Sequence, residues 1–73
     1  MSNVLRVTYD PKARAAYIYL TGTIGPGEAK RTVTATPDIN LDFDAEGRLI
    51  GIELLSPSLL HPVLAMQAER AGG

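Results

Sequence analysis

The segment Asp42-Phe43-Asp44-Ala45-Glu46-Gly47-Arg48-Leu49-Ile50-Gly51-Ile52-Glu53 sets carboxylates at its positions 1, 3, 5 and 12 and a glycine at position 6, the spacing by which an EF-hand loop surrounds calcium. Such a loop needs a helix on either side. Here Ile39-Asn40-Leu41-Asp42-Phe43 alternates apolar with polar residues and Leu49-Ile50-Gly51-Ile52 is a short apolar run, so both flanks predict strands. Position 5 also holds Glu where Asp or Asn is usual. The acids therefore read as the solvated rim of a β-hairpin, and no metal is expected. His61 is the sole histidine, and in a chain without cysteine it cannot complete a metal site by itself; beside Pro62 it reads as structural or exposed. Ser56 and Ser58 stand outside any Gly-x-Ser-x-Gly elbow, and Ser56 suits a helix cap. The glycines from Gly22 to Gly27 lack a following Gly-Lys-Ser or Gly-Lys-Thr and precede no predicted helix, so they read as a plain loop and not as a phosphate cradle. No catalytic residue and no cofactor is expected, and the chain reads as non-enzymatic.

Tyr17 and Tyr19 alternate onto one face of a predicted strand, and with Arg6, Lys30 and Arg31 they form a set on which unpaired bases can stack. Seven Lys and Arg against eight Asp and Glu give a formal charge of −1, which opposes polyanion binding and makes nucleic acid the less favoured partner. Paired tyrosines on a sheet more often pack against a helix or a neighbouring chain. The longest apolar run falls short of the roughly 18 residues a membrane span requires, so no membrane is expected. The start Met1-Ser2-Asn3 lacks the basic and apolar regions of a signal peptide, and a cytoplasmic location is expected.

These side chains need a scaffold, and 73 residues make one domain, 1–73. A chain of this size buries only about 60% of its unfolded surface, so self-association is a natural source of extra stability. The first strand is predicted over Val4–Tyr9, with a turn at Asp10-Pro11-Lys12-Ala13 and a return strand over Ala15–Leu20 that is apolar on both faces. Ala29–Thr36 reads as a weaker third strand with Arg31, Val33 and Ala35 on one face, ended by Pro37. Asp38–Asp44 turns Ile39, Leu41 and Phe43 inward and Asn40, Asp42 and Asp44 outward. Gly47 suits the left-handed position of a three-residue hairpin loop, and Leu49–Leu55 forms the fifth strand. Ser56-Pro57 opens a helical segment over 57–70, interrupted at Pro62, whose Leu59, Leu60, Val63 and Leu64 share a face.

The expected fold is therefore α+β, mainly β: a single antiparallel meander of about five strands within 4–55, two hairpins joined by a third strand, with a short C-terminal helix. An internal echo supports the two hairpins. Tyr9-Asp10 to Arg14 matches Phe43-Asp44 to Arg48 at an offset of 34 residues. In a meander taken in chain order the fifth strand lies at an edge, where an apolar strand requires cover. The helix covers one face, leaving Tyr17, Tyr19 and Leu49 on the other. Tyr17, Tyr19, Leu49, Leu55, Leu59, Leu60, Val63 and Leu64 are accordingly the candidate interface residues of a homodimer.

Val7-Thr8-Tyr9-Asp10-Pro11-Lys12-Ala13-Arg14-Ala15-Ala16-Tyr17-Ile18-Tyr19-Leu20, followed by Ile39 through Leu55, resembles the DUF2283 family of small bacterial domains of unknown function. The features carrying the resemblance are Tyr9-Asp10-Pro11 and the set Asp44, Gly47, Gly51, Ile52 and Glu53, and it covers about residues 4 to 56. The long glycine loop before the third strand and the proline-interrupted tail depart from the pattern. The resemblance implies a β-meander with a terminal helix and no catalytic residue to transfer. Some members lie beside toxin-like genes, so it also implies an antitoxin-like binder of a protein partner such as a toxin.

Overall fold

The alternation of side chains along each strand sorts them onto two faces, and cross-strand partners share a face. In the computed structural model, which describes residues 6–21, 24–56, 59 and 69–70, the strands are β1 (Arg6–Asp10), β2 (Ala15–Tyr19), β3 (Arg31–Thr36), β4 (Ile39–Phe43), β5 (Leu49–Leu54) and β6 (Glu69–Arg70). Val7, Tyr9, Ile18, Ile39 and Ile52 pack around the buried Ala16 and Leu54 on one face. Thr8, Tyr17, Asn40, Asp42 and Glu53 occupy the other.

The strand order is β3-β4-β5-β2-β1-β6, with β1 to β5 antiparallel to their neighbours and β6 parallel to β1. This corrects the chain-order meander. β5 lies in the middle, between β4 and β2, and β3 does not join the two hairpins but forms an outer edge. The physical reason lies in composition. Ile50, Gly51 and Leu54 of β5 are buried, whereas β3 is exposed at every residue except the half-buried Val33. A threonine-rich strand tolerates the rim better than an apolar one. β2 therefore returns beside β5, a Greek-key arrangement read from the other chain direction. The connection from β2 to β3 must pass β5 and β4, a span of about 14 Å at normal strand spacing, which gives the long glycine loop its topological reason.

That loop carries its own turn. Pro26 and Gly27 (φ +78°) occupy the central positions of a type II turn closed by the Glu28 amide donating to the Gly25 carbonyl at 3.1 Å. Two bulges modify the ladders. Ala35 is the extra residue of β3 between Thr34 and Thr36, so it leaves the alternation it was expected to share with Arg31 and Val33. Ile50 is the extra residue of β5, and it sets Leu49 opposite Phe43.

Beyond β5 the Leu59 amide donates to the Ser56 carbonyl at 3.0 Å, an i to i+3 bond at the expected helix start. Glu69 and Arg70 pair with Thr8 and Tyr9 in extended conformation, which replaces the expected helix end at those two residues and supplies partners to the outer edge of β1. Leu60, His61, Val63 and Leu64 lie outside the described residues. Among the described residues no helix is long and apolar enough to cross a membrane.

Both expected hairpins form, and the echo between them is a matter of turn chemistry. The Asp10 carboxylate accepts from the Lys12 amide at 3.0 Å and from Ala13 at 3.3 Å, and the Asp44 carboxylate accepts from Glu46 at 3.0 Å and Arg48 at 2.9 Å. The exits differ. The left-handed residue is Arg14 (φ +54°) in the first turn but Gly47 (φ +80°), one position earlier, in the second. The amides of Arg48 and Glu46 and the guanidinium of Arg48, at 2.9 Å from Asp44 Oδ2, hold the Asp44 carboxyl below its usual range, the Arg48 amide contributing most.

A Cβ at a left-handed position costs about 1 kcal/mol, so Gly47→Ala is expected to lower the urea midpoint by that equivalent. Arg14→Gly removes the same penalty at the price of a looser unfolded chain, and is expected to gain about 0.5 kcal/mol. A lower midpoint for Arg14→Gly would contradict the backbone assignment. Because Asp44 is more acidic folded than unfolded, its contribution is present above the ordinary carboxylate pKa and is lost as pH falls through the lowered one. Thermal melts of Asp44→Asn should therefore show a shallower loss of stability on acidification than those of the parent chain.

Candidate functional site

The polar face of the sheet is organised by one residue that has no side chain. A Cβ on Gly51 would fall on the Tyr17 hydroxyl and come within 2.6 Å of its ring carbons Cε1 and Cζ. The Tyr17 ring therefore crosses β5 from β2, over the bare backbone of Gly51, and its hydroxyl donates to Asp42 Oδ2 on β4. From the other side Thr32 Oγ1 on β3 donates to Asp42 Oδ1 at 2.5 Å. One carboxylate on β4 thus ties in β3 on one side and, across β5, β2 on the other. A second chain of contacts runs beside it, with Thr34 Oγ1 donating to Asn40 Oδ1 at 3.0 Å and Asn40 Nδ2 donating to Glu53 Oε1 at 2.9 Å.

Towards β1 the face turns aromatic. The Tyr17 and Tyr19 rings lie 4.7 Å apart with planes tilted by 51°, and the Arg6 guanidinium sits 4.6 Å from the Tyr19 ring centre. The result is a row of cation, two aromatics, carboxylate and hydroxyl. Partial burial, then the hydrogen bond to Asp42, then the charges of Asp42, Tyr19 and Glu53 push the Tyr17 phenol far above its ordinary pKa, so it remains neutral across physiological pH. This makes Tyr17 a hydrogen-bond donor and a packing surface, and a poor base or nucleophile.

The structure distributes the sequence-derived candidates unevenly. Tyr17 and Tyr19 share the expected face, are half-buried, and meet each other and their own chain. Arg31 does not join them; it pairs with Phe43 on the opposite face and stacks on that ring at 4.8 Å. Leu49 is 36% exposed at the start of β5, while Leu55 (42%) and Leu59 (46%) are exposed past its other end, so the three leucines do not form one patch. Leu60, Val63 and Leu64 fall outside the described residues.

The four acids at calcium-loop spacing separate as well. Asp42 and Glu53 lie on the polar face, whereas Asp44 and Glu46 bind Arg48 in the turn, Glu46 Oε1 at 3.2 Å. Among the described residues no three His, Asp or Glu side chains converge. In the glycine loop the Gly25 amide donates to the Glu28 carboxylate, which fills the place of an incoming anion. The partnership of Gly51 and Asp42 with Tyr17 escaped the sequence reading. Its one local signal was a glycine inside an otherwise apolar strand, a mark of close approach by another group.

A family model described as "Protein of unknown function (DUF2283)" matches residues 6–58. No curated protein and no solved structure matches the chain.

Tyr17→Phe leaves the ring in place and removes the donor to Asp42, for an expected loss of about 1.5–3 kcal/mol. Gly51→Ala must expel the ring and is expected to cost about 1–3 kcal/mol. The phenol is less acidic folded than unfolded, so its contribution is complete below the unfolded pKa of about 10 and is lost as pH rises beyond it. Alkaline denaturation curves should accordingly be steeper for the parent chain than for Tyr17→Phe; coincident curves would refute the half-buried phenol–carboxylate bond.

Proposed function

The chain belongs to the DUF2283 family, and on that premise we propose that it is a non-catalytic protein–protein interaction module that self-associates. The observation that carries this reading is the incomplete cover of the sheet's apolar face. Among the described residues only Ala16, Ile50 and Leu54 are buried hydrophobic side chains, while Val7, Tyr9, Ile18, Ile39 and Ile52 remain partly open. A sheet is stable when its apolar face is sealed by a second layer, and a domain of this size has little chain to spare for one. A second copy supplies it.

The polar face supports binding over catalysis. Its carboxylates are held by hydroxyl and amide donors, and its phenol is kept neutral. The same carboxylates disfavour nucleic acid, because Asp42 and Glu53 set negative charge beside the two tyrosines where phosphates would run.

Sedimentation at tens of micromolar is expected to return twice the chain mass, and the melting temperature is expected to rise with concentration. A concentration-independent monomer would reject self-association. Such a monomer retaining a stoichiometric protein from its native host would move the reading to a heteromeric, antitoxin-like binder.

A further inference from the structure

The chain leaves β5 at Leu54 and returns as β6, which runs parallel to β1 and, through the antiparallel ladders of β2 with β1 and with β5, parallel to β5 as well. A parallel return needs a crossover and cannot be a hairpin. After the bond between Leu59 and Ser56, that crossover consists of residues 60–68, which contain no Asp, Glu, Lys or Arg and include Leu60, Val63, Leu64 and Met66. Such a segment gains by lying on apolar surface.

Hydrogen-bond directions tell which face lies in its path. Ile39, Leu41 and Phe43 of β4 alternate onto the apolar face, and the Phe43 carbonyl accepts from the Lys30 amide at 2.8 Å, on the β3 side. In a strand of L-residues running upward, a side chain that points at the viewer has its peptide groups directed to the right. Seen from the apolar face with β5 running upward, β4 runs downward and β3 lies to the left, so β2, β1 and β6 lie to the right of β5. Leu20, in step with Ala16 and Ile18, donates to the Ile50 carbonyl beside β2 at 3.0 Å and gives the same hand. A crossover between parallel strands of one sheet is right-handed in about 98% of cases, and a rightward one is right-handed only when it passes in front.

We infer that residues 60–68 cross the apolar face of the sheet over β2 and β1, covering Ile18 and Val7. The distances allow one such passage. β6 stands three strands from β5, about 14 Å at normal spacing, and the ten steps from Leu59 to Glu69 reach at most about 35 Å. That length is spent on the way to β6 and leaves β4 and β3 uncovered. The inference goes beyond self-association and narrows where it acts, since the second copy then completes the layer over Ile39, Leu41 and Val33.

The chain has no cysteine, so paired cysteine variants report this contact without background. Leu64→Cys is combined in turn with Val7→Cys on the apolar face of β1, with Thr8→Cys on its polar face, and with Leu41→Cys on β4. Under mild oxidation the intrachain disulfide of the Val7 pair is expected to form at least about tenfold faster than that of either other pair, because only there do both thiols share one side of the same strands. A Thr8 pair that closes as fast places the crossover behind the sheet, and a Leu41 pair that does so places it over β4; either overturns the route. A Val7 pair that links two chains instead gives that cover to the second copy and overturns it too. The unmodified chain supplies a readout that no substitution disturbs: methyl-labelled chains diluted into unlabelled ones are expected to show nuclear Overhauser contacts from Leu60, Val63 or Leu64 to Val7 and Ile18. Contacts to Thr8 instead, or none to the sheet, refute the crossover. Both readouts are intrachain and apply to monomer and dimer alike, so they stand or fail apart from self-association.

Discussion

The phenol of Tyr17 reaches Asp42 only because residue 51 has no side chain to stand between them. A glycine inside a strand ordinarily costs about 0.5–1 kcal/mol in backbone entropy and leaves a gap in the packing. Here the gap is the seat of an aromatic ring, and the ring ends in a hydrogen bond to a carboxylate, a type of bond that contributes about 1.5–3 kcal/mol. The exchange favours the folded sheet. It also fits the strand order, since β5 lies between β2 and β4 and its bare Gly51 lets the Tyr17 ring pass over it to Asp42.

The consequences spread from that seat in both directions. Asp42 accepts a second hydroxyl from β3, which ties the rim strand to the centre, and Tyr19 with Arg6 extends the packing to β1. Burial first and the carboxylate second hold the phenol neutral, and the neutral phenol keeps its proton available to the carboxylate. The polar side of this sheet is therefore more constrained than the apolar side, where among the described residues only Ala16, Ile50 and Leu54 are buried.

Features set by neighbouring residues were legible in the sequence. The alternation of Ile39, Leu41 and Phe43 with Asn40, Asp42 and Asp44 defined β4, and Glu46-Gly47 announced a left-handed turn that φ +80° realises. The face shared by Tyr17 and Tyr19 follows from a period of two. Strand order was not legible, because period-two alternation tells which face a side chain takes and says nothing about which strand lies alongside. Hence β5 looked like an edge and β3 like a bridge, when the burial of Ile50, Gly51 and Leu54 makes the first central and the threonines of β3 make the second peripheral. Arg14 in the left-handed region carries no local signal, since arginine is not a residue that favours it. The link from Tyr17 to Gly51 and Asp42 joins residues far apart in the chain, beyond the reach of pattern reading.

The seam between β2 and β5 differs from every other antiparallel ladder in the sheet in the length of chain it closes. Its partners, Tyr19 with Gly51 and Ala16 with Leu54, are 51 − 19 = 32 and 54 − 16 = 38 residues apart, whereas the remaining antiparallel pairs are hairpins. Loop-closure entropy makes such a ladder late in folding. The β3-β4-β5 unit and the β1–β2 hairpin can each assemble locally and meet afterwards, and during that interval the inner edge of β5, with its bare glycine, is open to any strand that arrives. The step that completes the five antiparallel strands is thus also the one at which crowded chains on the ribosome or in refolding mixtures compete with it.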